Sequence, residues 1–185
     1  MYKRKRSLRD ISLDKYPLYC HPEALTAYQL SEKYSYQYIE QLDKLPSDTI
    51  KKLQYLEPIL VATVKHFDKK SSKYKTHYQF FSGWLWLSLC RKKDIKKVRV
   101  IVYPDDNKHY FEEVSWLYML ACEFTCMNKK IGLGQMHQTM EQLPKHLKKQ
   151  LLGDSYSWSS NQTIQNLSNE NAKKIRAQAD KLTLK

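Results

Sequence analysis

Glycine is scarce in this chain, at 4 of 185 residues. So few glycines exclude a Gly-rich phosphate loop and argue against a loop-dominated protein. No apolar run approaches the ~18 residues of a membrane span, and no secretory h-region is legible. Cysteine is equally spare: four residues, at 20, 90, 122 and 126, form no CxxC pair, and no His stands at metal spacing from them. No metal site is therefore expected. Reduced core cysteines are the default, which suits a cytoplasmic protein. Six histidines are scattered without a legible Ser/His/Asp arrangement, so no catalytic residue is assigned.

What the chain has in quantity is positive charge. Lys and Arg number 32 against 19 Asp and Glu, for a formal net charge of +13. The excess is uneven, with 21 basic and 10 acidic residues in 1–100 but 11 and 9 in the remainder. A field of that sign attracts polyanions, of which nucleic acid is the commonest in cells. The competing reading is a solubility surface, or the Lys-rich habit of an AT-rich genome. The hydrophobic fraction of 42% excludes a disordered composition, and the length suits one domain with a modest appendage.

Along the chain, residues 1–9 form a basic arm carrying Lys3, Arg4, Lys5, Arg6 and Arg9. Ile11, Leu13 and Tyr16 alternate as a short strand would. Pro22 to Gln41 looks helical and Tyr-rich. Ser47 is a good N-cap for a short helix over Asp48–Leu53. Pro58–Val64 reads as a strand, Lys65–Lys75 as a polar, Lys-rich turn, and His77–Phe81 as the returning strand of a hairpin. Trp84–Lys92 is a buried helix, Lys97–Tyr103 the clearest strand, and Tyr110–Thr125 an amphipathic helix with Phe111, Val114, Leu117, Tyr118 and Ala121 on its apolar face. Gly132 and Gly134 punctuate the stretch beyond that helix. Further helices are expected at Met136–Gln142, Lys145–Leu152 and Thr163–Leu182, with a polar joint over 153–172.

The order from Pro58 onward is specific. Glu57-Pro58-Ile59-Leu60-Val61 is followed by Tyr78-Gln79-Phe80-Phe81-Ser82-Gly83, a helix, and Lys97-Val98-Arg99-Val100-Ile101-Val102. This resembles the N-terminal domain of ParB-type partition proteins, whose fold is shared with sulfiredoxin, with the family's opening strand on Asp10-Ile11-Ser12-Leu13. The resemblance covers about residues 8–130. It implies an α/β (α+β) fold of the ParB/sulfiredoxin type: a small mixed sheet flanked by helices, with a short helical C-terminal extension. The domain reading is a basic arm over 1–9, a ParB-like domain over 10–130 and the extension over 131–185.

The departures bear on function. Where the family places Glu-Arg-Arg beside a nucleotide's phosphates, this chain has Trp84, Leu85 and Trp86, and neither Trp nor Leu can neutralise a phosphate. Of the family's Glu-Asn-x-x-Arg motif only Glu123 remains. No CTP or ATP cofactor is expected, and the sulfiredoxin nucleophile is missing as well. Ser82, Gly83, Trp84, Leu85, Trp86 and Glu123 thus mark a degenerate nucleotide corner. The two Trp residues either fill the old pocket or form a surface for a partner protein.

Three basic segments are the candidate nucleic-acid contacts: the arm, the turn with Lys69, Lys70 and Lys73, and Arg91, Lys92, Lys93, Lys96, Lys97 and Arg99. They would form one phosphate-binding stripe or three unrelated solvated patches. The leading expectation is a non-enzymatic, ParB-like DNA-binding protein of a plasmid, phage or other mobile element. The alternative is a protein-interaction module that regulates or inhibits a larger complex. Last comes a nuclease or nucleotide hydrolase. The oligomeric state, dimer included, is not legible.

Overall fold

In strand Lys97–Pro104 alternate residues are buried: Val98, Val100 and Val102 turn inward while Arg99 and Ile101 are half-exposed. That period of two is the signature of a strand with one face on a core. The computed structural model describes residues 6–34, 37–68, 72–104, 108–126, 132–152, 159, 162–165 and 170–183. Among them the strands are β1 (Ser7–Ser12), β2 (Tyr19–Cys20), β3 (Ile59–Asp68), β4 (Lys73–Ser82) and β5 (Lys97–Pro104). The helices are α1 (Leu25–Glu32), α2 (Gln37–Leu42), α3 (Ser47–Leu56), α4 (Trp84–Lys92), α5 (Lys108–Cys126), α6 (Gly132–Gln142), α7 (Lys145–Leu152) and α8 (Ala172–Thr183). Single helical turns occupy Pro22–Ala24 and 162–165.

The strands form one mixed sheet in the order β1-β5-β3-β4-β2. β1 is antiparallel to β5, β5 parallel to β3, β3 antiparallel to β4, and β4 parallel to β2. A mixed sheet flanked by helices is the fold class the sequence implied. The chain divides into two compact units, one of residues 1–29 and 39–115, the other of 30–38 and 116–185.

The first unit packs Ala24, Ala62, Phe81, Tyr103 and Phe111 together. Phe81 is the hub: its ring lies 4.4 Å from Phe111 and 5.4 Å from Tyr103. Full burial of such a ring stabilises the fold by roughly 1.5–3 kcal/mol. The second unit has its own core of Leu120, Leu133, Met136, Met140, Ile164 and Ile175. Within it Tyr34 donates from its hydroxyl to the Gln135 carbonyl at 3.0 Å. Among the described residues no helix is long and apolar enough to cross a membrane.

Several expectations need correction. The segment Pro22–Gln41 is not one helix: it is a tight turn, then α1, then α2. Helix α3 begins at Ser47 itself and extends to Leu56, with Pro46 at the cap position and no side-chain capping bond, so Ser47 is not the N-cap. β1 starts at Ser7, which puts Arg9 in a strand rather than on the arm. Ladder bonds to β5 as far as Ser7↔Val102 outweigh the polar character of Ser7-Leu8-Arg9. The apolar face expected of α5 is displaced: Leu117 is 42% exposed and Ala121 is exposed, while Ser115, Trp116, Met119, Leu120 and Cys122 are buried. Gly132 and Gly134 lie inside α6 and are buried, rather than breaking the chain before it. The last helix starts at Ala172, not Thr163.

The largest correction concerns Lys65–Lys75, expected as a turn. Lys65 to Asp68 continue β3, and Lys73 to Lys75 begin β4.

Candidate nucleic-acid interface

Five pairs of the β3–β4 ladder lie beyond the rest of the sheet. β5 stops supporting β3 at Thr63↔Pro104, and β2 meets β4 only at Tyr19↔Gln79 and Cys20↔Phe80. From Val64↔His77 through Lys65↔Thr76, His66↔Lys75 and Phe67↔Tyr74 to Asp68↔Lys73, the two strands pair with each other alone among the described residues. At about 3.3 Å per residue this two-stranded ribbon extends some 16 Å past the supported sheet.

Alternation sorts its side chains onto two faces. Lys65 and Phe67 share one face with Tyr74 and Thr76. The Phe67 and Tyr74 rings meet edge to face at 5.3 Å. His66, Lys75 and His77 share the other, with the two imidazoles 6.3 Å apart. Lys65, His66, Phe67, Tyr74, Lys75, Thr76 and His77 are all exposed. Of the expected contacts in this segment, Lys69 and Lys70 lie outside the described residues, as does the Lys73 side chain.

Arg6 and the start of β1 lie at the same end of the sheet. Ser7 pairs with Val102 close to the end of β5, and β3 runs parallel to β5 toward the ribbon. Arg6 sits over the Tyr103 ring at 5.2 Å. Lys3, Arg4 and Lys5 precede it and lie outside the described residues. Arg9, on β1, is exposed and donates to Ser7 Oγ at 3.2 Å.

The third basic segment lies elsewhere. Lys97 pairs with Ser12 at the opposite end of the β1–β5 ladder from Ser7↔Val102, about 17 Å away. Most of its cations are already engaged. Arg91 donates to the Leu18 carbonyl at 2.6 Å. Lys92 hydrogen-bonds the Asp43 carboxylate, and Lys93 the Asp43 carbonyl. Lys92 first, then Lys93, hold the Asp43 carboxyl below its ordinary range. Lys96 pairs with Asp94 at 2.6 Å and faces Asp14 at 3.7 Å, and these partners raise its pKa. Arg99 donates to Asp10 at 3.1 Å and lies over the Tyr55 ring at 4.2 Å. Its backbone is clamped at both poles by Gln54, with bonds of 2.8 and 2.9 Å. Lys97 is exposed and has no ion-pair partner among the described residues. The structure therefore brings Arg6 and the ribbon to one end of the sheet and leaves the Arg91–Arg99 cluster at the other.

The degenerate corner is filled. Trp84 and Trp86 are 2% and 4% exposed, Ser82 is buried and Leu85 half-buried. The Trp86 indole donates to Glu57 at 2.7 Å, and the Trp84 ring packs near Tyr28. Gly83 is required there. Its φ is +79°, and a Cβ would lie 3.0 Å from the Ile59 backbone. The two Trp side chains thus belong to the core and do not form an exposed partner surface. Cys90, in the same helix, is fully buried, which pushes its thiol up to about 11. Glu123 is in α5, with its side chain outside the described residues. No cluster of metal-ligating side chains occurs among the described residues.

The ribbon was hidden in the sequence because its lysines read as a turn. The signal that could have revealed it is the β-branched or aromatic residue at every second position, in Tyr74, Thr76 and Tyr78.

No protein-family model matches the chain, and no curated protein matches it. Solved structures of ParB N-domains are similar to it. The C2221 form of a Pnob8-like ParB-N domain is 13% identical at a TM-score of 0.46, covering 96% of this chain and 70% of that one. A pNOB8-like ParB N-domain is 12% identical at a TM-score of 0.46, covering 97% and 65%.

Proposed function

We propose that this protein binds nucleic acid, contacting phosphates through the β3–β4 ribbon and the adjoining arm. One observation carries the reading: a two-stranded ribbon that projects past its sheet with exposed Lys65, His66, Lys75 and His77. The stretch from Val64 to His77 contains five lysines and a single acid, Asp68. Cations on a projecting element reach a polyanion before the rest of the surface does. Binding needs neither cofactor nor turnover. The motif order resembling partition proteins supports service to a plasmid, phage or other mobile element, with DNA as the target.

Anisotropy of a labelled random duplex across a salt series tests this. Binding should weaken with a log–log slope of about −3 or steeper, because each phosphate contact contributes roughly −0.9. A flat slope would overturn it, as would a failure at low salt to bind duplex and single strand alike.

A further inference from the structure

Phe67 is 45% and Tyr74 72% exposed, although both are large aromatic residues. They lie on the part of the hairpin that pairs with no other strand among the described residues, so they contribute nothing to the core of their unit. Their contact is a cross-strand pair worth no more than about 1 kcal/mol to the hairpin. Exposed rings on a basic element have a second use, since nucleobases stack on them.

The geometry points to single-stranded nucleic acid as the ligand of this face: unstacked bases lie on Phe67 and Tyr74 while Lys65 holds a flanking phosphate. This rests on the nucleic-acid reading above and names its substrate class. Two features favour a single strand over a duplex. The rings are inclined at 64° to each other, so they offer two differently tilted platforms. Bases within a duplex are parallel and covered by their neighbours, whereas a single strand can splay consecutive bases onto tilted rings. Lys65 also shares the ring face, two residues before Phe67, which places its charge about one pleat repeat from the stacked base. The opposite face carries His66, Lys75 and His77 and no aromatic hydrocarbon ring, so stacking is confined to one side.

The test compares labelled oligothymidylate of about 20 nucleotides, longer than the usual footprint of one stacking platform, with a duplex of equal length. Both are titrated against wild type and against a Phe67→Leu, Tyr74→Leu variant. Leucine keeps an apolar cross-strand contact and removes the π face; circular dichroism and thermal melting check that the fold persists. Wild type should bind the single strand at least about fivefold more tightly than the duplex. The variant should lose about tenfold on the single strand and change less than about twofold on the duplex. Equal affinities, with the variant unchanged on both, would overturn the stacking proposal and leave the nucleic-acid reading standing. Failure of wild type to bind either ligand would overturn both. A variant that alters sedimentation of the free protein but neither affinity would reassign the rings to a protein contact and overturn the proposal.

Discussion

At the end of the sheet where β1 finishes and β5 begins, Asp10, Asp14, Asp43 and Asp94 stand among Lys92, Lys93, Lys96 and Arg99, and each of those four cations has a carboxylate partner. At the other end, Lys65, Lys75, His66 and His77 are exposed on a ribbon whose only acid is Asp68, and Arg6 leads back to three further basic residues. The two ends look alike as strings of Lys and Arg. They differ in the local balance of acid and base. A basic count measures the potential far from a protein, while contact with a phosphate also depends on how many acids share that surface with the bases.

Charge reversal separates the two ends most sharply. Lys65→Glu with Lys75→Glu should cut affinity for nucleic acid by about 10- to 100-fold at moderate salt, with unchanged melting. The matched pair Lys92→Glu with Lys93→Glu should change affinity by less than about threefold and instead lower stability, because three carboxylates would then crowd the Asp43 site. Equal losses of affinity from both pairs would break the contrast. A smaller effect is expected from Arg99→Ala. Loss of the Asp10 pair and the Tyr55 stack should cost about 1–2 kcal/mol, read from the denaturant midpoint, and leave binding unaltered.

The smallest effect sharpens the contrast from the other direction. Asp43→Asn should release Lys92 and Lys93, steepening the salt slope by about one while lowering stability only slightly. Its sign with pH is fixed by the depressed Asp43 pKa. The contribution of the pair is present above the ordinary carboxylate value and fades as pH falls through the lowered one. The Asn variant should therefore show a shallower loss of stability in acid.

The strongly patterned elements were legible in the sequence. Strand Lys97–Tyr103, helices Trp84–Lys92 and Lys145–Leu152, and the pairing of β3 with β4 were all expected, and all are found with little change. In each, hydrophobic residues repeat with one period between clear breakers such as Gly83 or Pro144. The ribbon failed that test because no face of it is buried. Its alternation is between aromatic and basic residues, so a search for apolar periodicity sees only a polar turn. Helix α5 misled for another reason: it runs from one compact unit into the other, and its buried residues shift from Phe111 to Trp116, Met119 and Leu120. The candidate site was half legible. Lysines near the hairpin tip were named, but the partners of the Arg91–Arg99 cluster come from Leu18, Asp10, Asp14 and Asp43, far away in sequence.

Gly134 carries a consequence of its own. A Cβ there would lie 2.5 Å from the carbonyl oxygen of Gln178, so α6 and α8 touch backbone to backbone. The Gln178 side chain also accepts the Leu133 N–H at 2.9 Å, answering one of the donors that the start of α6 leaves open. The twelve residues of α8 are thus a wall of the second unit rather than a tail. A protease cut between Leu152 and Ala172 would sever the chain without releasing α8, and the two fragments should co-migrate until denaturant separates them. Deletion of α8 outright would strip Met136, Met140 and Ile164 of cover, so any shortened version that keeps α6 has to retain those final residues.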